Sequence, residues 1–355
     1  MLKSLDFLSL KCVPNMITDP IFIIGTERSG SNLLRVILTA HSQIWIPHPP
    51  HFMNYFGHLH YGDMSVGSTQ EKVLRHMLRL VRFHIFPWTE YALKPKEILS
   101  TINQPDMFGL TAAIYEHVLL QTKKPIWGCK STFMIEHIPT IRSLYPHARF
   151  VFLVRDPRDV ALSSKTSVFS PCHPLLTARL WDSQQKLGRK AMHDHPETFH
   201  LLHYEDLLQD HHGCLEKLCA FLQLPLEPQM FEFFKQKEAS KGAALSASWK
   251  NTGQPLKRNN HGKWRKQLTK EEISDIESQC FETMQHFGYE PTTEFPAKNA
   301  PNRIKRIERK EQMLKAQIEY TSLRKDKNVF LRWRRDAYVQ YLSFRYGNKN
   351  DEHSS

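Results

Sequence analysis

Short runs of consecutive apolar residues alternate along this chain with segments whose apolar residues recur at helical spacing. Residues 20–25, 126–129, 149–154 and 199–203 are runs of the first kind. Their length and β-branched or aromatic content predict buried parallel strands. Segments of helical pattern follow the runs, as residues 29–40 show after the first. This alternation predicts an α/β fold in which helices flank a central parallel sheet.

The rest of the pattern is less regular. Residues 70–125 are predicted to be helical and loosely packed, and residues 135–145 to form another helix. Residues 269–287 form a helix that opens with a capping signal. Residues 239–263, rich in Ser, Gly, Asn and Lys, predict a long loop of the kind that is usually functional or mobile. The three prolines of residues 291–302 predict a linker.

These boundaries divide the chain into three parts. Residues 18–290 carry the predicted sheet, residues 291–302 the linker, and residues 303–346 a basic amphipathic helical tail. Two sets of apolar tail residues each fall roughly on one helical face. The first set is Ile304, Ile307, Leu314 and Ile318, and the second is Phe330, Trp333, Ala337, Tyr341 and Phe344. The faces either pack on the body or a second subunit, which is the favoured reading, or contact a membrane surface or an anionic acceptor.

Charge and cysteine content limit the partners and the cellular compartment to be expected for this chain. The 355 residues carry a net charge of +12, and residues 301–346 hold thirteen Lys and Arg against five Asp and Glu. A basic balance suggests nucleotides, nucleic acid, acidic glycans or a membrane surface as partners. Six cysteines, at 12, 129, 172, 214, 219 and 280, form no CxxC pair. They predict reduced thiols, mostly in the core, and the absence of a signal-peptide pattern adds the expectation of a cytoplasmic protein.

The clearest chemical signal lies between the first strand and the first helix. Residues 25–32 read Gly-Thr-Glu-Arg-Ser-Gly-Ser-Asn. Such a loop directs backbone N–H groups and a helix N-terminus at an anion. It shares the Gly-x4-Gly spacing of a Walker A loop, but Ser31 replaces the lysine and Asn32 the magnesium-binding hydroxyl. With Arg28 as its cation, it predicts a site for a phosphate-like group; the alternative is a turn without ligand.

A second signal follows the strand at 149–154. Residues 155–164 read Arg-Asp-Pro-Arg-Asp-Val-Ala-Leu-Ser-Ser. A cation at the end of a strand and a hydroxyl in the first turns of the next helix suit a second anion. Taken alone, the motif is better explained by a solvated Arg–Asp cluster that caps the helix.

Together the two motifs resemble those of sulfotransferases that use 3′-phosphoadenosine 5′-phosphosulfate (PAPS), especially bacterial members and protein-tyrosine sulfotransferases. In that family, Pro-Arg-Ser-Gly-Ser/Thr-x-Leu binds the 5′-phosphosulfate, and residues 27–33 match it. The family's Arg-Asp-Pro-Arg-Asp-Val motif binds the 3′-phosphate through its first Arg and the Ser eight residues on, here Arg155 and Ser163. Further matches, in the family's order over roughly residues 18–290, are residues 127–130, 204–207 and 262–265.

The resemblance implies a fold similar to P-loop-containing nucleoside triphosphate hydrolases, with a C-terminal helical extension. It implies transfer of a sulfuryl group from PAPS to an acceptor hydroxyl, with release of 3′-phosphoadenosine 5′-phosphate (PAP) and no metal. The implied nucleotide-binding residues are Arg28, Ser29, Gly30, Ser31, Asn32, Arg155, Ser163, Tyr204, Lys263, Trp264 and Arg265. The acceptor stays open among carbohydrate, lipid, peptide tyrosine and small alcohol or phenol. Nucleic acid is not expected as a partner, and a homodimer or a membrane-surface contact through the tail stays open.

Catalysis needs groups that neutralise developing charge and a group that takes the acceptor's proton. Arg28 and Lys130, each next to a predicted strand, are implied for the first role. Related sequences often place a glutamate base in Pro-Glu-x-His-Phe, but here Pro49 stands at the glutamate position. His51 matches the family's histidine and His48 is nearby; an imidazole can accept a proton near neutral pH. His51 is the predicted base, and the alternatives are a structural role or a base elsewhere.

Two rival functions remain at this stage. A P-loop kinase or NTPase is disfavoured by the missing Walker lysine and hydroxyl. A protein that binds PAP or PAPS without turnover is motivated by Pro49. The pairs His193/His195 and His211/His212 lack the spacing of a ligand set, so no metal site is predicted.

Overall fold

Five parallel strands form the centre of the molecule. The computed structural model describes residues 19–167, 171–245, 247–293, 301–325 and 328–347. The strands are β1 Ile21–Gly25, β2 Ile44–Trp45, β3 Ile126–Cys129, β4 Arg149–Val154 and β5 Phe199–His203. Their spatial order is β2-β3-β1-β4-β5, and every neighbouring pair is parallel. All four predicted strands are confirmed; β2 was not predicted, because two residues show no periodicity.

The two central strands are apolar on both faces because helices cover both sides of the sheet. Successive side chains of a strand point to opposite faces. Accordingly Phe22 and Ile24 of β1 belong to one hydrophobic cluster, and Ile21 and Ile23 to the other. All four side chains are at most 1% exposed. This burial makes the sheet a rigid base for the loops at its edge.

Fifteen α-helices surround the sheet within the described residues. They are α1 Ser31–Ala40, α2 Phe52–Phe56, α3 Gly67–Phe83, α4 Pro95–Ser100, α5 Met107–Leu119, α6 Ile138–Leu144, α7 Pro157–Ser164, α8 Pro174–Asp194, α9 Tyr204–Gln209, α10 His211–Leu222, α11 Lys237–Leu245, α12 Trp264–Gln267, α13 Lys270–His286, α14 Pro301–Lys325 and α15 Val329–Tyr346. The 3-10 turns are Thr132–His137, Pro196–Thr198, Pro228–Met230, Phe233–Lys235 and Ala247–Gly253.

Two predictions about these helices need correction. Residues 70–125 are helical as predicted, but they are not loosely packed, since Val73, Leu74 and Met77 are fully buried. The predicted loop at 239–263 begins instead with α11 and a 3-10 turn, and among the described residues of this range those at 254–263 lack regular structure. Packing of Ala239 into the second hydrophobic cluster supports this helix, which tertiary contacts stabilise despite weak periodicity. The predicted capped helix is confirmed, with Thr269 and Glu272 forming a capping box around the start of α13.

The two C-terminal helices attach to the body. Leu342 of α15 is fully buried in the first cluster, and the His60 N–H donates to the Tyr346 carbonyl oxygen at 2.7 Å. Glu311 of α14 accepts hydrogen bonds of 2.8 and 2.7 Å from the backbone N–H groups of Cys172 and His173. These contacts show that α14 and α15 pack against the part of the chain that precedes them. Residues 294–300, most of the predicted linker, lie outside the described residues.

The packed face of α15 is not the face that the sequence pattern indicated. Phe330, Trp333, Tyr341 and Phe344 share one side of the helix as predicted, but all four are exposed. The side turned to the body carries Leu342, Arg332 and Arg335, and the Arg335 guanidinium carbon lies 5.7 Å from the centre of the Tyr55 ring. Apolar periodicity located the stripe correctly but could not tell which side of the helix faces the protein.

Five cysteines lie within the described residues, and all are free thiols. Cys129, Cys172, Cys219 and Cys280 are buried and Cys214 is half-buried, which confirms that most of these thiols are in the core. Cys12 and the rest of the N-terminal segment considered for a signal peptide lie outside the described residues. None of the described helices combines the length and the apolar character that crossing a membrane requires.

Candidate active site

A cavity of about 840 Å³ opens at the edge of the sheet where the parallel strands end. Residues that follow each of the five strands line its wall, because the carboxyl ends of parallel strands meet at one edge. Its volume lies in the usual range for small-molecule sites. Of the thirteen predicted site residues, ten line it: Arg28, Gly30, Ser31, Asn32, His51, Lys130, Arg155, Ser163, Tyr204 and Lys263. The other three, Ser29, Trp264 and Arg265, do not.

The glycine loop between β1 and α1 is held in a tight turn. Arg28 adopts a φ of 69° and Gly30 a φ of 96°, both in the left-handed region. Gly30 is the N-cap of α1, and no side chain of the described residues caps this helix. The N–H groups of the first turn therefore remain available to an anion, which the helix dipole also favours.

Gly30 lies directly against the aromatic ring of Tyr204. A Cβ atom at Gly30 would come within 2.5 Å of two ring carbons of Tyr204, closer than real contacts allow. Tyr204 itself is 3% exposed and begins α9 directly after β5. The turn thus needs glycine at this position for its positive φ and for its contact with the ring.

The two predicted anion motifs form one continuous cluster. The Arg28 Nε donates to the Ser163 Oγ at 3.1 Å, and the Arg155 Nη1 donates to the Arg28 carbonyl oxygen at 2.9 Å. The Arg155 guanidinium carbon lies 4.5 Å from the centre of the Tyr204 ring. The sequence assigned Arg28 and Ser163 to opposite ends of the nucleotide, whereas here they are direct neighbours in the wall of one cavity.

The cluster is poor in compensating negative charge. Burial lowers the pKa of the Arg28 guanidinium from its ordinary value; the nearby Glu27 opposes this shift and Arg155 adds to it. Among the described residues, no partner is present for the buried Arg155 Nε and Asn32 Nδ2. Buried donors without partners are costly, and an anionic ligand would satisfy them. The donor set therefore fits a phosphate- or sulfate-bearing ligand.

Ser29 lies behind the loop rather than in the cavity wall. Its side chain is fully buried, and its Oγ has no hydrogen-bond partner within the described part of the chain. Its backbone N–H donates to the Thr26 carbonyl oxygen at 3.3 Å, which closes the turn. Its side chain therefore points away from the cavity wall, and nucleotide binding by Ser29 stays a prediction.

Residues 254–263 cover one side of the cavity through Asn260. The Asn260 carbonyl oxygen accepts from Arg155 at 3.2 Å, and the Asn260 Nδ2 donates to the Tyr204 hydroxyl at 2.7 Å. The Lys263 Nζ donates to the Asn260 Oδ1 at 2.6 Å, and Lys257 also lines the cavity. Asn260 was missed from the sequence, because no motif or periodicity distinguishes it from its neighbours.

Trp264 and Arg265 position this loop from outside the cavity. Trp264 is 2% exposed, and its ring lies between the guanidinium groups of Arg158 and Arg265, at 3.9 and 4.3 Å. Its backbone N–H donates to the Asp159 Oδ1 at 3.1 Å. Neither residue lines the cavity, and these contacts hold residues 254–263 in place; nucleotide binding by Trp264 and Arg265 stays a prediction.

Arg158, in the middle of the second motif, is a structural residue. It makes paired hydrogen bonds of 2.9 and 2.8 Å to Asp156 and a 2.7 Å ion pair with Glu277. Arg158 and Glu277 are at most 2% exposed. The pair ties α7 to α13 and fixes the strand end from which Arg155 extends.

Lys130 extends from the end of β3 into the cavity. Burial lowers the pKa of its ammonium group to about 8; Glu27 partly opposes this shift, whereas Arg35 and Arg28 reinforce it. An ammonium group with this pKa is positively charged at neutral pH but releases its proton more readily than an ordinary lysine. Lys130 can therefore supply charge, or a proton, to an oxygen in the cavity.

His51 reaches the same cavity from the start of α2. Its backbone has a φ of 55°, and its Nδ1 is hydrogen-bonded to the Ser131 Oγ at 2.9 Å. Burial lowers the pKa of His51 well below its ordinary value of 6.5, and the charge of Lys130 adds to the effect. The ring is thus neutral at neutral pH, with a lone pair that can accept a proton.

His48 is a second cavity histidine with a different environment. It is 3% exposed, its ring centre is 4.1 Å from that of Trp249, and it stacks on Phe86. Within the described residues neither ring nitrogen has a hydrogen-bond partner, and burial lowers its pKa well below 6.5. Nothing orients its ring by hydrogen bonding, unlike the ring of His51.

Three carboxylates of the described residues line the cavity: Glu27, Asp159 and Asp336. None comes from residues 53–125. Asp159 already accepts the N–H groups of Gly262 and Trp264. Asp336 belongs to α15 and accepts hydrogen bonds of 2.8 and 2.6 Å from Arg335. No sequence motif predicted Arg335 or Asp336, because they lie beyond the region that resembles a known family.

His193, His195, His211 and His212 lie outside this cavity. His193 and His212 are exposed, and His195 and His211 are half-buried. In the part of the chain that the structure describes, no group of three or more His, Cys, Asp or Glu side chains has an arrangement suited to a metal ion.

The sequence is similar to a protein family and to individual known proteins. A model of the sulfotransferase family matches residues 20–228. An uncharacterized protein of Aquifex aeolicus (strain VF5) is 24% identical over 260 residues, which cover 70% of this chain and 30% of that protein. A 3-beta-hydroxysteroid sulfotransferase of Cavia porcellus is 26% identical over 168 residues, covering 41% of this chain and 58% of the relative. The chain thus spans less than two thirds of either relative.

Two solved structures share the fold. The sulfotransferase domain of the Synechococcus PCC 7002 olefin synthase superposes with a TM-score of 0.55 at 18% identity, covering 77% of this chain and 96% of that domain. The sulfotransferase domain from the curacin biosynthetic pathway gives 0.52 at 20% identity, covering 77% and 98%. Together with the central parallel sheet, these similarities confirm the predicted fold class.

Proposed function

The chain belongs to the sulfotransferase family, and from that premise we propose that it transfers a sulfuryl group from PAPS to an acceptor hydroxyl and releases PAP. One observation carries this proposal. Arg28, Ser163 and Arg155, from two distant motifs, converge in one cavity beside an uncapped helix N-terminus. Such a site suits a ligand with more than one anionic group, as PAPS is.

The nucleotide's two anionic ends are assigned to two parts of this cluster. The N-terminus of α1, with Ser31 and Asn32, holds the 5′-phosphosulfate, and Arg28 lies over the group that is transferred. Arg155 and Ser163 hold the 3′-phosphate, and Tyr204 supports Arg155 through its ring. Lys263 stands at the same side of the cavity, next to Asn260. The unpartnered donors of Arg155 and Asn32 support these assignments.

The chemical step is a displacement at sulfur. The acceptor oxygen forms a bond to sulfur while the bond between sulfur and the bridging phosphate oxygen breaks. The electron pair of that bond remains on the 5′-phosphate of PAP, and the acceptor's proton passes to a base. Lys130 and Arg28 stabilise the charge that develops on the bridging oxygen and the sulfuryl group. Lys130, with its pKa of about 8, can also donate a proton to that oxygen.

His51 is the base we assign, since its ring is neutral and Ser131 orients it toward the cavity region that Lys130 also borders. A second candidate follows from the structure alone. Asp336 is a carboxylate of the cavity wall, and its hydrogen bond with Arg335 fixes its position. It is a candidate because Pro49 occupies the position at which related sequences often carry the glutamate base. The two candidates are separable by mutation.

The acceptor end of the cavity favours an apolar hydroxyl compound. Tyr55, Phe133, Ile85 and Trp249 line it in addition to the histidines. Aromatic walls bind rings and hydrocarbon better than heavily hydrated sugars. Among the acceptors left open by the sequence, we therefore favour a lipid-like alcohol or a phenol; a 3-beta-hydroxysteroid, the acceptor in the name of the Cavia porcellus relative, is one such compound.

Two experiments test the function. Calorimetry with PAP and with ATP-Mg²⁺ decides between a PAPS-dependent enzyme and a P-loop kinase, and a preference for ATP-Mg²⁺ would exclude the proposal. Incubation with labelled PAPS and a panel of steroids, phenols, sugars and tyrosine peptides then identifies the acceptor. Tight PAP binding without any sulfated product, in the panel or in a cell extract, would favour the non-catalytic alternative.

Several narrower statements stay predictions. These are the division into residues 18–290, 291–302 and 303–346, the cytoplasmic location, the independence from metal and the exclusion of nucleic acid as a partner.

A further inference from the structure

Four large aromatic side chains of α15 are exposed on one side of the helix. They are Phe330, Trp333, Tyr341 and Phe344, with exposures of 72%, 40%, 50% and 91%. We refer to these four residues as the aromatic face. At 3.6 residues per turn they fall within an arc of about 80°. The helix thus carries a continuous apolar stripe that the rest of the chain, as far as it is described, does not cover.

The side of α15 that packs on the protein is opposite to this stripe. Arg332, Arg335 and Leu342 are at most 6% exposed and lie about half a helical turn away from the aromatic face. Because α15 is already anchored through these residues, it cannot turn its aromatic face to the body without losing its buried contacts. The aromatic face is therefore a stable surface of the folded chain.

Exposed apolar residues are concentrated in this part of the molecule. Ten large hydrophobic side chains are exposed among the described residues, and seven of them belong to α14 and α15. Single exposed apolar residues are ordinary, but a contiguous group marks an interaction site. This concentration of exposed apolar side chains distinguishes α14 and α15 from the rest of the described chain.

Positive charge borders the aromatic face. Arg334 and Arg345 are exposed and lie beside the stripe on the helix surface. The segment 301–346 as a whole holds thirteen Lys and Arg against five Asp and Glu. Aromatic and basic residues in this arrangement are typical of helices that lie in the interface of an anionic membrane.

We propose that the aromatic face binds the surface of a membrane that contains anionic lipids. The four rings enter the boundary between headgroups and acyl chains, while Arg334 and Arg345 contact lipid phosphates. This inference goes beyond the transfer reaction and does not depend on it.

A second copy of the chain fits the same face less well. A symmetric dimer through α15 would bring the same patch of each copy together. Arg334 and Arg345 of both copies, and the excess of positive charge around them, would then be drawn into one interface. Like charges placed together oppose association, whereas anionic lipid headgroups neutralise them.

Vesicle flotation of the full chain tests the proposal. We expect the protein to float with vesicles of phosphatidylcholine and phosphatidylserine, to remain unbound with phosphatidylcholine alone, and to dissociate in high salt. Phe330→Ser/Phe344→Ser should weaken binding roughly tenfold or more. Arg334→Gln and Arg345→Gln should each weaken it about fivefold. Leu120→Ser, which changes an equally exposed apolar residue on α5's C-cap, is the matched control and should bind as the wild type does.

Sedimentation without lipid provides the second readout. Wild type and Phe330→Ser/Phe344→Ser should have the same mass, and both should bind PAP equally, which shows that the variant is folded. Absence of binding to the anionic vesicles, or equal binding by the aromatic variant, would overturn the proposal. So would a wild-type dimer that the aromatic substitutions dissociate, because the occupant would then be a second copy.

Discussion

The Arg28 Nε donates a 3.1 Å hydrogen bond to the Ser163 Oγ across 135 residues of sequence. This contact joins the glycine loop after β1 to the helix after β4. Because those strands are neighbours in the sheet, their following loops lie side by side. A nucleotide bound at one loop is therefore within reach of the other, and each loop can be tested separately.

Arg155→Ala is expected to weaken PAP binding by about 2–4 kcal/mol, the cost of removing one partner of a desolvated charge pair. Ser163→Ala should cost about 1 kcal/mol, the scale of one hydrogen bond. Calorimetry with PAP measures both. Arg265→Ala is the control, because that guanidinium stacks on Trp264 outside the cavity. If Arg155→Ala bound PAP as tightly as the wild type, the motif would be only a helix cap.

Gly30→Ala should damage the phosphate site more than its backbone strain alone explains. Gly30 and Gly62 have nearly the same φ, 96° and 97°, but an added Cβ would meet the Tyr204 ring at Gly30 and none of the described residues at Gly62. Each substitution costs about 1–3 kcal/mol of backbone strain. We expect Gly30→Ala to lower PAP affinity by roughly tenfold or more, about 1.4 kcal/mol, and Gly62→Ala to leave it unchanged. Equal PAP affinities in the two variants would contradict the role of the ring contact.

The pKa of Lys130, about 8, predicts an alkaline limb of activity. Values of kcat/KM report the ionisation of the free enzyme. They should therefore fall as the pH rises through about 8, when the ammonium group loses its charge. Lys130→Arg should shift this limb to higher pH, since arginine stays protonated. A limb at the same pH in Lys130→Arg would assign it to another group.

The same pKa makes stability depend on pH. The pKa of Lys130 is lower in the folded protein than its ordinary value of 10.5, so the unfolded chain binds more protons between pH 8 and 10.5. The contribution of Lys130 to the free energy of unfolding therefore increases with pH across this window. Denaturant titrations should show the increase in the wild type and its loss in Lys130→Met. A wild type and variant with parallel curves would show that burial does not shift this lysine.

His51→Ala should lower turnover by roughly 10²–10⁴-fold while PAP affinity barely changes. The low pKa of His51 adds a second expectation: activity should persist below pH 6.5, because the ring stays neutral there. His48→Ala should have a smaller effect, since nothing orients its ring. Rate–pH profiles on a working acceptor test this. Full activity with an unchanged acidic limb in His51→Ala would make His51 structural.

Asp336→Asn separates the two candidate bases. If His51 is the base, this substitution should change turnover only a few fold, through the position of α15. If Asp336 is the base, Asp336→Asn should instead cause the 10²–10⁴-fold loss, and His51→Ala the small one. The comparison needs both variants on the same acceptor, with PAP affinity as the check on folding.

The packing of α15 predicts opposite effects for two nearby residues. Leu342→Ala should lower the free energy of unfolding by about 2–5 kcal/mol, because this side chain is fully buried. Phe344→Ala, at 91% exposure, should change it by less than about 0.5 kcal/mol. Denaturant unfolding without lipid measures both.

The sequence alone predicts that removing residues 303–355 leaves nucleotide binding largely intact. The burial of Leu342 argues instead that the truncated chain is destabilised.

Structural features that depend on local sequence could be predicted, whereas features that depend on tertiary contacts could not. The strands and the glycine loop were predictable, because fully buried strands are apolar throughout and an anion loop needs glycine between strand and helix. The helical structure within residues 239–253 was not predictable, because α11 is stabilised by packing of Ala239 against residues from distant parts of the chain. The motif predicted a glycine turn at residue 30, but the second reason for glycine there, the Tyr204 ring, is a tertiary contact.

The same reasoning applies to the cavity wall. Asn260, Arg335 and Asp336 belong to no motif and reach the cavity only because distant segments fold against it. Trp264 and Arg265 show the reverse case: they lie in a recognisable motif but support the loop from outside. Motif matching therefore located the loops of the site and not each side chain that enters it.

The two sides of α15 also imply a thermodynamic linkage. Arg335 and Asp336 border the cavity, while Phe330 and Phe344 of the same rigid helix face outward. A ligand that binds the outer side more tightly in one position of this helix than in another changes the free energy of the wall inside, and such coupling is reciprocal. If occupation of the outer side tightens PAP binding by some factor, PAP must tighten the outer contact by that same factor. The product nucleotide would then influence where the enzyme resides.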